Sequence, residues 1–314
     1  MRIFVTGGCG YVGSSLVPAL LHDGHEVVVM DSEWFGNTLP QSPQLQCIKG
    51  DIRDSSKYPG GKFEVVIHLA NIANDPSVEL NPDLSWEVNT LATLQLLHWA
   101  KAAGVEDFLY ASSGSVYGLS DEPRVTEDLP LLPISTYNKT KMVAEQIVSN
   151  WREEFRVVSV RPATICGYSP RMRFDLAVNM LTYQALSNKS IKVLGGAQVR
   201  PNIHIADMVE VYRHFINNKD IPSGSYNAGF ENLTILDIAK RIAGEVGADI
   251  TVEESNDPRS YRLDSSKLLA TGFQPKHTLD DAIAELKSKF LSGTLVNTSL
   301  NNTVARMIEL GLGR

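Results

Sequence analysis

The sequence predicts an α/β fold, a doubly wound parallel sheet followed by a smaller C-terminal α+β region. Three observations carry that expectation. Short β-branched apolar runs alternate with helix-patterned segments through the first half of the 314 residues. A glycine-rich turn stands directly between the first of these strands and the first helix. After Pro162 the texture changes to short segments separated by Gly/Pro/Asn turns, such as Gly195-Gly196, Pro222-Ser223-Gly224 and Asn256-Asp257-Pro258.

Six strands are expected in the first half, at Arg2–Thr6, Glu26–Met30, Leu45–Lys49, Glu64–Leu69, Asp107–Ser112 and Arg156–Arg161. They read as nearly continuous apolar runs, the pattern of a parallel sheet covered on both faces. Between them, Tyr11–Leu21, Ser85–Ala103 and Thr136–Trp151 place apolar residues at three- and four-residue spacing, the period of an amphipathic helix. Pro18 is expected to kink the first of these. In the second half a turn at Gly167-Tyr168-Ser169-Pro170 leads into a helical run, Phe174–Leu186, and one more amphipathic helix lies in the tail beyond Leu291. The chain therefore divides into a nucleotide-binding core over 1–165 and a second region over 166–314, part of which returns to the core. With no repeat and no low-complexity linker, the two regions are expected to share an interface.

Composition narrows the functional classes. Hydrophobic residues make up 43% and charged residues 21%, ordinary globular usage that excludes intrinsic disorder. The formal charge of −7 argues against a nucleic-acid partner, which is usually met by a basic surface. A small phosphorylated ligand needs only a few local cations and stays open. No apolar run approaches the ~18 residues of a membrane span, so no membrane is expected as a partner. The opening residues do not form a signal peptide, and a cytoplasmic location is expected. On that basis the Asn-x-Ser/Thr triplets at Asn138, Asn188, Asn232, Asn297 and Asn301 are read as chance. Cys9, Cys47 and Cys166 form no C-x-x-C pair, so they read as buried reduced thiols rather than a disulfide framework or a metal site.

The glycine run Thr6-Gly7-Gly8-Cys9-Gly10-Tyr11-Val12-Gly13 has the context that gives such a run meaning, since it follows a strand and opens a helix. Gly7 and Gly8 permit the tight turn, Gly10 lets the backbone approach a pyrophosphate, and Gly13 allows close helix–sheet contact. The helix start, with Tyr11 and Val12, offers free N–H donors to phosphate. Asp31, 18 residues past Gly13 at the end of the second strand, can accept both ribose hydroxyls and repel a 2′-phosphate. The expected cofactor is therefore NAD rather than NADP. Asp51 and Ile52, closing the third strand, suit the adenine. Leu69 and Ala70, closing the fourth, let backbone pass the diphosphate. His68, on the same apolar strand, reads as a core histidine.

Tyr137 and Lys141 stand four residues apart in Tyr137-Asn138-Lys139-Thr140-Lys141, which puts both on one side of a helix. A lysine there stabilises a phenolate and lowers the tyrosine pKa. Ser113 lies 24 residues upstream, at a strand end, in Ser112-Ser113-Gly114-Ser115-Val116-Tyr117-Gly118.

On these residues the chain resembles the extended short-chain dehydrogenase/reductases, specifically the nucleotide-sugar epimerase/dehydratase family, over nearly its whole length from Met1 to about Phe290. The resemblance implies a Rossmann domain holding NAD and a C-terminal part binding a nucleoside-diphosphate sugar. It implies Tyr137 as general base, Lys141 as its activator and a ligand of the nicotinamide ribose, and Ser113 as partner of the sugar hydroxyl. Asn89 matches the helix asparagine placed near the tyrosine and is counted with the cofactor residues. Asn179 matches a diphosphate-contacting asparagine, and Arg200 and Arg259 match nucleotide-binding arginines. Thr164 stands where the family often has Asn, which alters one expected substrate contact. The resemblance also implies a homodimer, paired through the helices Ser85–Ala103 and Thr136–Trp151.

Gly114-Ser115 follows Ser113 where the dehydratase branch carries an Asp-Glu pair, which argues against 4,6-dehydration. The leading expectation is an NAD-dependent epimerase acting at sugar C4 through a 4-keto intermediate. Behind it stand a 4-dehydrogenase, a 4,6-dehydratase and, last, a non-catalytic NAD-binding protein. The run Ser169–Asp175 resembles a branch found among bacterial surface-polysaccharide enzymes. In it, Arg171 and Arg173 read either as phosphate or substituent contacts or as solvated loop charges.

Overall fold

The computed structural model describes residues 1–120, 122–254 and 260–313. Six strands, β1 (Arg2–Thr6), β2 (Glu26–Asp31), β3 (Leu45–Lys49), β4 (Val65–His68), β5 (Asp107–Ala111) and β6 (Arg156–Pro162), form the expected parallel sheet. Its order is β3-β2-β1-β4-β5-β6, every pair parallel. Side chains alternate between its faces. Ile3, Val5, Val27, Val29, Val65 and Ile67 pack with helix α1 (Gly13–His22) on one side. Phe4, Val28, Met30, Val66, Phe108 and Tyr110 pack on the other. Burial on both faces is why these strands are apolar along their length. The edge strand β3 departs from that pattern: Gln46, Cys47 and Lys49 are exposed, so Cys47 is not the buried thiol expected of it.

Helices α2 (Asp75–Leu80), α3 (Pro82–Trp86), α4 (Ala92–Ala102) and α5 (Thr136–Ser149) cover the second face. The single helix expected over Ser85–Ala103 is two helices joined by a π turn at Glu87–Leu91. The wider turn contains Asn89, whose buried side chain bonds outside the helix, and such bulges recur near functional sites.

Beyond Pro162, β7 (Thr164–Cys166) opens a second, smaller layer, followed by α6 (Ala177–Asn188), β8 (Ser190–Leu194) and β9 (Val199–His204). The helix expected from Phe174 starts three residues later. The Phe174 N–H donates to the Asn301 carbonyl and the Asp175 carboxylate accepts from the Thr303 N–H, and these tertiary bonds hold the segment out of helical form. Helix α7 (Ile205–Asn217) then packs beside α1, and β10 (Gly224–Ala228) pairs with β6 as a seventh parallel strand. This return to the core carries no sequence period distinctive enough to reveal it.

The remaining elements are β11 (Glu231–Thr234), α8 (Ile235–Val246), β12 (Asp249–Glu253), α9 (Ser266–Leu269), α10 (Leu279–Leu291) and α11 (Thr303–Glu309). Strands β11-β9-β7 make a mixed sheet and β12-β8 a parallel pair. Helices α6, α8 and α10 enclose a separate apolar cluster there. Among the described residues, no helix is long and apolar enough to cross a membrane.

Candidate active site

A cavity of about 450 Å³ opens at the C-terminal ends of the parallel strands, between the two layers. This is where open α/β sheets bind ligands. Its floor is the turn after β1. Gly7 has φ +72°, and a Cβ there would stand 2.6 Å from the Ala70 nitrogen, so only glycine lets the β4 loop pass. At Gly13 a Cβ would meet Gly8 at 2.5 Å, which closes the turn against α1. Gly10, by contrast, faces the cavity with only the Gly7 carbonyl near its missing side chain. No side chain caps α1, whose first residues Tyr11, Val12 and Gly13 line the cavity. A cradle that a Cβ would fill, backed by an uncapped helix start, suits a diphosphate.

At one end, Asp31 closes β2 and accepts from the Cys9 N–H (3.0 Å) and the Glu33 N–H (2.7 Å). Burial raises its pKa, and these two donors oppose the rise. Trp34 and Phe35, three and four residues past Asp31, add an aromatic wall that no spacing rule marks in the sequence. Asp51 and Ile52 line the same end, as do Leu69 and Ala70 further along. Burial works to raise the Asp51 pKa, but Arg53, bonded to both carboxylate oxygens at 3.1 and 2.7 Å, outweighs it and holds the carboxyl below its usual range.

The other end carries the hydroxyl residues. Ser113 follows β5 in extended conformation and caps the short turn Gly114–Tyr117, its Oγ 2.7 Å from that of Ser115. Beneath it, Ser112 donates to Glu145 at 2.5 Å, and Glu145 takes a two-pronged ion pair from Arg161. This buried network fixes the β5 end against α5. Tyr137 and Lys141 lie one turn apart on α5, whose N-cap Ser135 accepts from the Asn138 N–H. Burial pushes the Tyr137 phenol up to about 12, while Arg173 and a hydrogen bond with Ser113 draw it down. Burial pushes Lys141 down to about 7, with Glu145 opposing. Its Nζ sits 4.8 Å from the Tyr110 ring centre.

The structure brings Ser113, Tyr137, Lys141, Gly7, Gly10, Tyr11, Val12, Gly13, Asp31, Asp51, Ile52, Leu69, Ala70, Thr164 and Arg200 to this one cavity. Asn89 and Asn179 stand outside it. Asn89 accepts from the Ile72 N–H (2.7 Å) and donates to the Ile72 carbonyl and to Thr140, so it ties the cavity wall to α5. Asn179 is fully buried: its side chain accepts from the Gly167 N–H and donates to the Tyr11 hydroxyl and the Arg173 carbonyl, which leaves no side-chain donor to meet a diphosphate. Arg259 lies outside the described residues. His68, held between Thr6 (2.6 Å) and Thr93 (2.9 Å), is a core histidine that burial keeps neutral, with a pKa near 3. Arg171 and Arg173 are not solvated loop charges, since both line the cavity and Arg171 is buried. Thr303, from the tail, also reaches the cavity, and no local sequence signal marks it.

A carboxylate at the end of β2 and a tyrosine–lysine pair at the other end of the cavity have the arrangement of an NAD-dependent enzyme of the short-chain dehydrogenase/reductase class. Within that class the chain belongs to the NAD-dependent epimerase/dehydratase family, whose model matches residues 3–229. The UDP-glucose 4-epimerase of Lactobacillus helveticus is 27% identical over 90% of this chain and 95% of its own length. That of Mycolicibacterium smegmatis is 30% identical over 91% and 97%. The solved structure of MoeE5 in complex with UDP-glucuronic acid and NAD superposes with a TM-score of 0.83 at 26% identity, covering 93% of this chain and 100% of that one.

Cofactor choice is expected to follow Asp31. Asp31→Ala removes a ribose acceptor and a charge that repels a 2′-phosphate, so titration calorimetry should show weaker NAD binding and a narrowed preference over NADP. Tighter binding of NADP than NAD by the wild type would contradict the assignment.

Proposed function

We propose that the protein is a nucleotide-sugar 4-epimerase that oxidises the sugar at C4 and reduces the resulting ketone from its other face. The carrying observation is the Ser113–Tyr137–Lys141 set in one cavity with Gly114-Ser115, rather than an acidic pair, after the catalytic serine. Elimination of water needs a further acid and base, and the residues following Ser113 supply none. UDP is the nucleotide favoured by the relatives named above.

When bound, NAD supplies a reversible hydride acceptor for C4. The Tyr137 oxygen takes the C4 hydroxyl proton as that hydroxyl becomes a ketone, and Ser113 holds the same oxygen in line. The Lys141 ammonium favours the phenolate form of Tyr137. After the 4-keto sugar turns over in the cavity, the Tyr137 hydroxyl returns its proton to the C4 oxygen, and the tally of protons closes. Arg200 and Thr164 line the side of the cavity nearer the second layer and serve the nucleotide sugar.

The test is a panel of UDP-, GDP-, CDP- and dTDP-sugars, followed by product NMR and by absorbance of reduced cofactor. A C4 epimer without net NADH is expected. Stoichiometric NADH with a keto product would instead establish a 4-dehydrogenase, and a 4-keto-6-deoxy product a dehydratase.

The likeness of Ser169–Asp175 to surface-polysaccharide enzymes supports a role in bacterial polysaccharide synthesis. Exposed, unpaired Cys47 supports a reducing cytoplasm. A homodimer through α4 and α5 is supported by Leu91 and Leu94, large apolar side chains left exposed beside these helices. Light scattering at micromolar concentration should give twice the chain mass, and Leu91→Glu with Leu94→Glu should halve it. A monomeric wild type would remove this reading.

A further inference from the structure

The loop between β7 and α6 is docked onto the turn that receives the cofactor diphosphate. The Ser169 hydroxyl donates to the Tyr11 carbonyl (2.7 Å) and lies within 2.9 Å of the hydroxyls of Ser14 and Ser15. The Arg171 N–H donates to the Ser14 hydroxyl in the first turn of α1. From this anchored backbone, two guanidiniums reach the cavity. The Arg171 guanidinium carbon lies over the Phe35 ring, 3.7 Å from its centre, and its charge is felt at Asp31. Arg173 pairs with Asp175 at 2.8 Å, and its charge is felt at both Tyr11 and Tyr137. Among the described residues, Nε of Arg171 and one Nη of Arg173 are buried without a hydrogen-bond partner.

We propose that Arg171 and Arg173 form a clamp on the NAD diphosphate beside the glycine turn. Arg171 acts on Asp31 at the adenosine end and Arg173 on Tyr137 at the reacting end, both lining the one cavity, and the diphosphate is the anion a dinucleotide places between those ends. Buried donors without partners are costly unless an anion completes them, and a planar guanidinium suits a phosphate in two-pronged fashion. A 2′-phosphate is the poorer occupant, because Asp31 beside Arg171 repels it. The proposal rests on NAD as the cofactor and not on which sugar is turned over.

The C-terminal tail braces the clamp. Asp175, the partner of Arg173, accepts from the Thr303 N–H (3.1 Å) and from Asn74 (3.0 Å). Asn301 accepts from the Phe174 N–H and donates to the Met172 carbonyl. Arg306 donates to the Trp34 carbonyl, next to the Phe35 ring on which Arg171 rests. Thr303 and Arg306 are therefore positioning residues, and Thr303→Pro, which deletes the N–H, should loosen the clamp through Asp175.

Titration calorimetry with ADP-ribose, adenosine, NADP and UDP on the full chain tests this. Arg171→Met should weaken ADP-ribose about 10- to 100-fold and leave adenosine and UDP unchanged. Arg171→Lys should fall between, keeping the charge without the fork, and provides the same comparison should the Met variant fail to fold. Arg173→Met should follow Arg171→Met, and Thr303→Pro should show a smaller loss of the same ligand pattern. Ligand-free Arg171→Met should melt no lower than the wild type, since it removes a buried charge whose Nε has no hydrogen-bond partner. A lower ligand-free melting temperature with ADP-ribose affinity intact would make Arg171 structural. A loss confined to UDP would move the clamp to the substrate, and one confined to NADP would make it a 2′-phosphate site. Any of these three results overturns the proposal.

Discussion

Tyr137→Phe should lower kcat by roughly 10²–10⁴, the usual worth of positioned acid–base assistance, while NAD affinity and melting temperature stay close to wild type. Phenylalanine fills the same half-buried space at the start of α5, where the backbone cap is made by Ser135 and not by Tyr137. What disappears is the oxygen proposed to exchange a proton with the C4 hydroxyl, together with its bond to Ser113. Because burial holds the phenol at about 12 in the ligand-free protein, its phenolate must be drawn out by added positive charge. Ultraviolet titration should therefore show tyrosinate at lower pH in the NAD complex than without ligand. A tyrosine that only packs against the sheet predicts the reverse pattern, a modest stability loss with turnover retained.

Lys141→Met should reduce both terms, kcat by roughly 10²–10³ and NAD affinity as well, because one ammonium is proposed both to support the phenolate and to donate to the nicotinamide ribose. The pH dependence follows from the same group. Burial lowers the lysine pKa to about 7, so the ammonium is present below that pH and is lost as pH rises through it. If the charged form is what binds, wild-type NAD affinity is highest below pH 7 and declines above it. Lys141→Met should be flat over that range. The double variant with Tyr137→Phe should be scarcely slower than either single one, as expected of residues acting as a unit. Additive losses would separate their roles.

The parts of this site that were legible in the sequence lie close together along the chain. Gly7, Gly10 and Gly13 fall within a single strand–turn–helix, Asp31 ends the next strand, and Tyr137 and Lys141 share one helical face, so spacing alone places them. The parts that escaped are made by residues distant in sequence. Asn179 was expected at a diphosphate, but its three hydrogen bonds go to Gly167, Tyr11 and Arg173, a set that only the folded second layer assembles. The placement of Arg171 and Arg173 depends on Phe35 and on a tail more than a hundred residues away. Strand β10 has a single buried register beside β6 but only five residues of pattern, too few to separate from a loop. The π turn at Glu87–Leu91 interrupts a periodicity that otherwise continues through it, and the cause is again tertiary, the bonds of Asn89 to Ile72 and Thr140.

The central claim, oxidation and re-reduction of the same carbon by a retained cofactor, is tested most directly with a UDP-hexose carrying deuterium at C4. NMR of the product should show the C4 epimer with deuterium still at C4, no exchange with solvent, and no accumulation of NADH. Loss of the label to water, or a keto product with one NADH formed per sugar consumed, would contradict it.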